Sequence, residues 1–443
     1  MDRQKILTNL NNFLSIQSIS ADPSYSSSIS SAVEFLQNQL DHLGFQVKII
    51  RSGHSTPPLI VAVREVSSSA KTIGIYGHYD VQPADPLSQW HYPPFRLTVK
   101  DGKMYGRGIA DNKGHIIQNL SALQELITTN KLTNNLVVFF EGEEETGSLH
   151  LEKLLKKAKK YILKADTFFI TDTGLFAKGI TQIFYALRGL VYLELKVQVA
   201  EHDLHSGLYG NQIINPILAI AHLLSKIKDS VTGDILIPNF YQNLRKIPAK
   251  ELNLLKKVKR SVDNIKTISG AYQIISARQL PSYLVTKILP SFDVHGINGG
   301  YSGEGAKTII PSTASVKFSF RLVENQTVKE IEQKIRLFVK ANLPQGVRFD
   351  LKTLSADEPF YTNLDNFFVQ KTAALLSDHF GNKTLFNRSG GSIPAAEILQ
   401  RLFQKPIILT GFTLPDDNIH APNENYDEEM FWSGIEALKK IYG

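Results

Sequence analysis

Residues Thr72–Asp80 read TIGIYGHYD. The first five are apolar or β-branched with no helical period, as in a short buried strand, and they run directly into a histidine and an aspartate. Three other stretches are built the same way. Leu136–Phe140 (LVVFF) leads into Glu141-Gly142-Glu143-Glu144-Glu145-Thr146-Gly147-Ser148, Thr167–Thr171 (TFFIT) leads into Asp172, and Pro406–Thr410 (PIILT) leads through a loop to His420. Strands without polar alternation are typical of sheets covered on both faces. Helical patterns fall between them at Ser30–Leu43, His115–Asn130 and Leu149–Ala158, so the expected fold is α/β, a mostly parallel mixed sheet with helices on both faces. Ligands of such sheets gather beyond the carboxyl ends of the strands. One sheet edge would then collect His78, Asp80, the Glu143–Glu145 run, Asp172 and His420. Asp111 would join them from the Gly-rich loop GRGIADNKG (Gly106–Gly114).

From about Arg188 the texture changes. Val191–Val199 (VYLELKVQV) alternates strictly, as a half-exposed strand does. A helix near Asn215–Ile227 follows, then a long basic helical stretch at Lys250–Lys266. Ala314–Leu322 (ASVKFSFRL) and Val347–Lys352 read as strands around a helix at Val328–Ala341. The order strand–helix–strand–strand–helix–strand gives a small α+β domain with one exposed sheet face. It would be inserted as residues 187–356 into a catalytic domain of residues 1–186 and 357–443. After it the texture returns to helix at Asn366–Ser377 and Ile393–Phe403, and the last helix is expected at Asp427–Ile441.

Composition removes several function classes. The chain has 443 residues and no cysteine, so disulfides, thiolate nucleophiles and Cys-based metal sites are excluded, and a metal would need His, Asp and Glu. The first twenty residues place Ile6, Leu10, Phe13 and Leu14 at helical spacing among polar ones, without the unbroken apolar stretch of a secretory signal. The longest apolar stretch, near Ile217–Leu224, falls short of the roughly 18–20 residues that span a bilayer. A soluble, cytoplasmic protein is expected. The net charge of +7 is concentrated in KLLKKAKKYILK (Lys153–Lys164) and Lys250–Lys266, where Lys alternates with Leu, Ile or Val as on solvated helices. No stacking aromatics or zinc-finger pattern accompany them, which argues against nucleic acid as a partner.

Taken singly, each acidic or histidine residue has an ordinary structural reading. Glu143–Glu145 could be a solvated loop, Asp172 a turn cap and His420 a surface residue. Taken together, in this order and at strand ends, they match a two-zinc hydrolase. Two zinc ions ~3.5–4 Å apart need a bridging carboxylate and terminal N or O ligands on each side. A hydroxide shared between them is a nucleophile at neutral pH, since zinc-bound water has a pKa near ~7. A further carboxylate that is not a ligand must move the proton from that water to the leaving group.

With these residues assembled, the chain resembles the M20 metallopeptidase family, in its dipeptidase or carnosinase-like branch. The resemblance rests on GHYDVQP (Gly77–Pro83), Trp90 with Pro93–Phe95, YGRGIADNKG (Tyr105–Gly114), EGEEETGS (Glu141–Ser148) and DLHSGLYG (Asp203–Gly210). It continues through KTIIPSTASVKFSFRLV (Lys307–Val323), GGSIP (Gly390–Pro394) and the late His420, Asn423 and Glu424. These run in family order across nearly the whole chain. The resemblance implies that Asp111 bridges two zinc ions, with His78 and Asp172 completing one site and Glu145 and His420 the other; O and N ligands would also admit manganese or cobalt. It implies that Asp80 orients His78, that Glu144 is the general base and acid, and that the peptide after Asp111 is cis. The inserted domain would be a lid and dimerisation domain of a homodimer, with His205 reaching the partner's active site to stabilise the oxyanion. Arg321 would grip the substrate's C-terminal carboxylate, with Ser392 and the Gly390–Gly391 backbone lining the substrate pocket.

The chain departs from the pattern at one point. Relatives in the carnosinase-like group often have Arg-Glu-Gly-Gly-Ser-Ile-Pro, whereas this chain has Arg388-Ser389-Gly390-Gly391-Ser392-Ile393-Pro394. Without that Glu, an N-acyl or N-carbamoyl amino-acid amidohydrolase stands beside the dipeptidase. Other classes fit less well. Gly299–Thr308 looks like a phosphate loop but has Ala306 where G-x-x-x-x-G-K-[ST] needs Gly. A non-catalytic binding protein would have lost ligands or the base, and here every expected position is filled.

Overall fold

All four apolar stretches form strands; the first two run a little past their apolar cores, the third matches it and the fourth starts one residue later. They span Thr72–His78, Asn135–Glu141, Thr167–Thr171 and Ile407–Thr410, and every residue in them is buried, as in strands covered on both faces. The computed structural model that shows this describes residues 2–53 and 56–443. These strands lie side by side and parallel in the order 135–141, 72–78, 167–171, 407–410. Antiparallel strands Leu59–Arg64 and Gln46–Ile50 extend one side, and Gln182–Leu187, with Leu385–Ser389 paired to it, the other. The sheet is therefore mixed, with its parallel strands at the centre. Helix Lys113–Thr128 packs on the Thr72–His78 strand and against the helices Arg3–Leu14 and Glu428–Tyr442. Helix Leu151–Ile162 packs on the strands Leu59–Arg64 and Asn135–Glu141, with Pro394–Phe403 beside it.

The chain divides into two units. The first runs through Tyr185 and adds Thr362–Asn387 and Pro394–Gly443; the second is Ala186–Tyr361 with Arg388–Ile393. The segment carrying Gly390, Gly391 and Ser392 thus belongs with the second unit rather than with the helix that follows it.

In the second unit four antiparallel strands are ordered Ser291–Gly299, Thr313–Leu322, Gly189–Gln198, Arg348–Asp357. Alternate residues Val191, Leu193, Leu195 and Val197 face a core shared with Ile220 and Leu223 of helix Pro216–Ile227 and with Ile331 and Ile335 of helix Val328–Asn342. The basic stretch at 250–266 is not one helix. It breaks into Ala249–Lys257 and Val262–Ser269, because the Ser261 side chain accepts from the Asn264 N–H and starts a second helix.

Candidate metal centre

His78 is the last residue of its strand and is fully buried. Its Nε2 lies 2.8 Å from Asp111 Oδ1 and 3.6 Å from Asp172 Oδ1. Its Nδ1 faces Asp80, 3.3 Å from Oδ1 and 3.2 Å from the backbone oxygen. A carboxylate behind the ring in this way fixes which nitrogen points outward.

Asp80 has a second task. Its Oδ1 accepts from the Glu144 N–H at 3.3 Å and its Oδ2 from the Glu145 N–H at 3.1 Å. One buried carboxylate therefore orients the histidine and holds the Glu144–Thr146 turn. Ser20 donates to the same Oδ2 at 2.6 Å.

Asp111 is presented by a loop wrapped around another buried carboxylate, Glu424. That side chain accepts from the N–H groups of Gly108, Ala110 and Asp111 at 3.0, 2.9 and 3.2 Å and pairs with Arg107 at 2.6 Å. The Asp111–Asn112 peptide is cis, as expected. Asn112 donates to Asp172 Oδ1 at 2.7 Å and to the Thr171 carbonyl at 2.9 Å, fixing that carboxylate at its strand end. A small antiparallel sheet of Thr98–Lys100, Lys103–Tyr105 and Asn425–Asp427 binds the His420 loop beside the Asp111 loop. His420 Nε2 then reaches Asp111 Oδ2 at 2.9 Å and Glu145 Oε2 at 3.1 Å. Gln82 also donates to Glu145 Oε2, at 2.8 Å.

The first unit thus brings His78, Asp80, Asp111, Glu144, Glu145, Asp172 and His420 together. Ligand atoms of His78, Asp111 and Glu145 lie within 4.8 Å of one another. Asp111 sits between the two histidines, one on each carboxylate oxygen.

The electrostatics of this cluster suit a cation. Burial opposes charge on His78, but Asp172 and the hydrogen bonds to Asp111, Asp172 and Asp80 outweigh it, and its pKa is raised well above the free imidazole value. Hydrogen bonds to Asp111 and Glu145 push His420 up to about 10. Burial acts against the Asp111 charge, yet the two histidines hold its pKa below the ordinary range. Burial raises Asp172, and it raises Glu144 well above the usual carboxylate value with help from Asp172, Asp111 and Glu145. Glu145 Oε1 is buried with no hydrogen-bond partner, a carboxylate oxygen that a metal would satisfy. The donor set is all oxygen and imidazole, which suits zinc, manganese or cobalt.

The other sequence-derived residues lie in the second unit. His205 is exposed at the end of the short Leu204–His205 strand, paired with Ile309–Ile310. Its Nδ1 accepts from the Gly207 N–H at 3.0 Å, so in the neutral ring the proton sits on Nε2 and that nitrogen is a donor. Arg321, near the end of the Thr313–Leu322 strand, donates to Ser392 Oγ at 3.3 Å. The Gly391 N–H is turned to Ser389 Oγ at 3.1 Å.

Gln82, Asn112, Glu424 and Ser20 were not assigned roles from the sequence. The first three sit inside the motifs quoted above, so proximity to a ligand was their only signal. Ser20 has none, since its partner Asp80 is sixty residues away in the chain.

Comparison with known proteins gives one consistent answer. The model of "Peptidase family M20/M25/M40" matches residues 74–442. The Cys-Gly metallodipeptidase DUG1 of Saccharomyces cerevisiae is 29% identical over 98% of this chain and 94% of its own. The human Beta-Ala-His dipeptidase is 30% identical over 86% of this chain and 76% of its own. The crystal structure of the M20 family metallo-carboxypeptidase Sso-CP2 from Sulfolobus solfataricus superposes with a TM-score of 0.88 at 29% identity, covering 100% of this chain and 99% of that one.

Proposed function

The chain belongs to the M20/M25/M40 family of peptidases, and on that premise we propose that it is a two-metal dipeptidase whose proton carrier is Glu144. The observation that carries this reading is the convergence of His78, Asp111, Glu145 and His420 on one point, with a buried Glu145 oxygen left for a cation. Asp111 would be shared between two zinc ions, with His78 and Asp172 on one and Glu145 and His420 on the other. Bound there, the metals would supply Lewis acidity to the scissile carbonyl and lower the pKa of the attacking water.

The chain's own residues do the rest. Glu144 takes the proton of that water and returns it to the leaving amine; a carboxyl raised by burial exchanges protons closer to neutral pH than an ordinary one. Asp80 keeps His78 and the Glu144–Glu145 turn in one fixed relation, so base and ligands hold their spacing through the cycle. His205 of the partner subunit in a homodimer would donate from Nε2 to the oxyanion, a role typically worth ~2.7–4 kcal/mol of barrier. Arg321 would hold the substrate's terminal carboxylate as a planar fork, with Ser392 and Gly391 beside it. The names of the relatives support dipeptides as substrates.

A second reading has its own observation. Ser389 is turned onto the Gly391 N–H and adds no carboxylate for a free substrate amine, which favours N-acyl or N-carbamoyl amino acids at the same centre. The deciding experiment is metal content by mass spectrometry with hydrolysis of a dipeptide and N-acyl amino-acid panel, before and after chelation. About two divalent ions per chain, with dipeptide cleavage lost on chelation and restored by zinc, is the expected result. Cleavage of blocked substrates alone would select the second reading. No metal uptake would overturn both.

A further inference from the structure

The second unit treats its buried and half-buried arginines in two ways. Arg388, almost fully buried, is met by Glu324 at 2.6 Å and Glu251 at 3.1 Å. Arg245 pairs with the same Glu251 and lies 4.4 Å over the Tyr361 ring. These charges are neutralised, as structural buried charges must be. Arg188 and Arg321 are different. Arg188 donates from Nε to the Gly390 carbonyl at 2.9 Å and from Nη1 to Ser291 Oγ at 3.2 Å and the Leu289 carbonyl at 3.5 Å. Arg321 donates to Ser392 Oγ. Neither has a carboxylate within ion-pair distance among the described residues, and Arg188 Nη2 makes no hydrogen bond among them.

The strand register puts the two guanidiniums together. Ser291, which Arg188 touches, is the cross-strand partner of Arg321. Both side chains reach the same Gly390–Ser392 loop, and a Cβ at Gly390 would stand 3.1 Å from Arg188 Nη2. Burial and the neighbouring Arg321 charge pull the Arg188 pKa down to about 10, and the more distant Asp293 offsets them only in part. Two half-buried like charges at one loop are unfavourable unless something negative joins them.

We propose that Arg188 and Arg321 form a two-guanidinium clamp for the carboxylate of the substrate's leaving residue, with Arg188 a specificity-determining residue of that site. This rests on the hydrolase reading above and adds to it a second cation and a requirement for a free terminal carboxylate. Arg188 Nη2 supplies the second prong, and Gly390 leaves the space for it.

The test compares alanyl-leucine with its C-terminal amide on metal-loaded protein, for wild type, Arg188→Met and Arg188→Lys. Wild type should favour the free acid by about a hundredfold or more in kcat/KM. Arg188→Met should shrink that ratio roughly tenfold to a hundredfold, the range of a charge-assisted hydrogen bond, and the change should enter through KM. Arg188→Lys should fall between, as a point charge replacing a fork. An arginine that merely props the loop would slow acid and amide alike, and an unchanged ratio would overturn the proposal, as would a wild type indifferent to amidation. If Arg188→Met does not fold, Arg188→Lys and Gly390→Ala carry the comparison. If dipeptides are not cleaved, acetyl-leucine and its amide replace them. Calorimetric binding of leucine against leucinamide tests the clamp with no turnover at all, so loss of the dipeptidase reading and loss of the clamp are separate results.

Discussion

Glu144 and Glu145 are adjacent in the chain and differ in what touches them. Glu145 Oε2 is held by Gln82 and His420, whereas the Glu144 side chain makes no hydrogen bond among the described residues and only its backbone is tied, the N–H to Asp80 and the carbonyl to the Gly147 N–H. The first geometry suits a ligand and the second a side chain that swings a proton. Glu144→Gln should therefore cut kcat by about 10²–10⁴ while metal content, read by mass spectrometry, stays at the wild-type level. Glu145→Gln should instead lose metal; if the two variants behave alike, the division of labour is wrong. His420 gives a pH prediction with a definite sign. In metal-free protein its pKa is raised to about 10 by Asp111 and Glu145, so these contacts stabilise the fold fully below the unfolded value near ~6.5 and are lost as pH climbs through about 10. A metal competes for the same nitrogen. Apparent metal affinity should rise with pH through this window, with protons released on binding, measurable by calorimetry in buffers of different ionisation enthalpy. A flat affinity profile would remove His420 from the ligand set.

The element that matters most is the loop from Gly106 into helix Lys113–Thr128, because it aims Asp111. Gly114 lies in the first turn of that helix, where helix propensity alone would reward alanine. A Cβ there would stand 1.9 Å from the Ile109 carbonyl oxygen, so Gly114→Ala should displace the loop, with metal retention and thermal stability falling together. A variant as stable and as metal-loaded as wild type would show that the loop can shift without cost. Glu424→Gln tests the other side of the loop. It leaves Arg107 buried without its counter-charge and turns an amide donor toward backbone N–H groups, at a cost of about 3–5 kcal/mol by chemical denaturation. The sequence makes the strands under this site legible, since the cores of Thr72–His78 and Asn135–Glu141 are apolar without alternation, the first ending on its ligand His78 and the second four residues before Glu145. It also makes the residue types of the ligands legible. What it hides are contacts between distant positions: Ser20 with Asp80, Glu424 with Gly108, Arg188 with Gly390. A hydrogen bond closed across the fold leaves no period or spacing in the chain. The break at Ser261 was hidden for a different reason, because a capping serine inside a lysine-rich helical pattern looks like one more polar position.

At the scale of the molecule, the proposed ligands come from five separate segments of one unit: the ends of three parallel strands, the Asp111 loop and the His420 loop. The second unit contributes none of them and has its own core around Val191, Leu193, Phe318 and Phe320. A ligand that binds only the folded state stabilises what it ties together, by about 2.7 kcal/mol at a hundred times its dissociation constant. The gain should then be local to the unit that holds the metals. Hydrogen exchange with and without zinc should show slower exchange in 106–114, 141–147 and the segment around His420. Amides in the Gly189–Gln198 and Thr313–Leu322 strands should exchange at the same rate in both states. Equal protection across both units would mean that they open as one cooperative block, and the metal centre would then govern the stability of the whole chain rather than of the unit that carries its ligands.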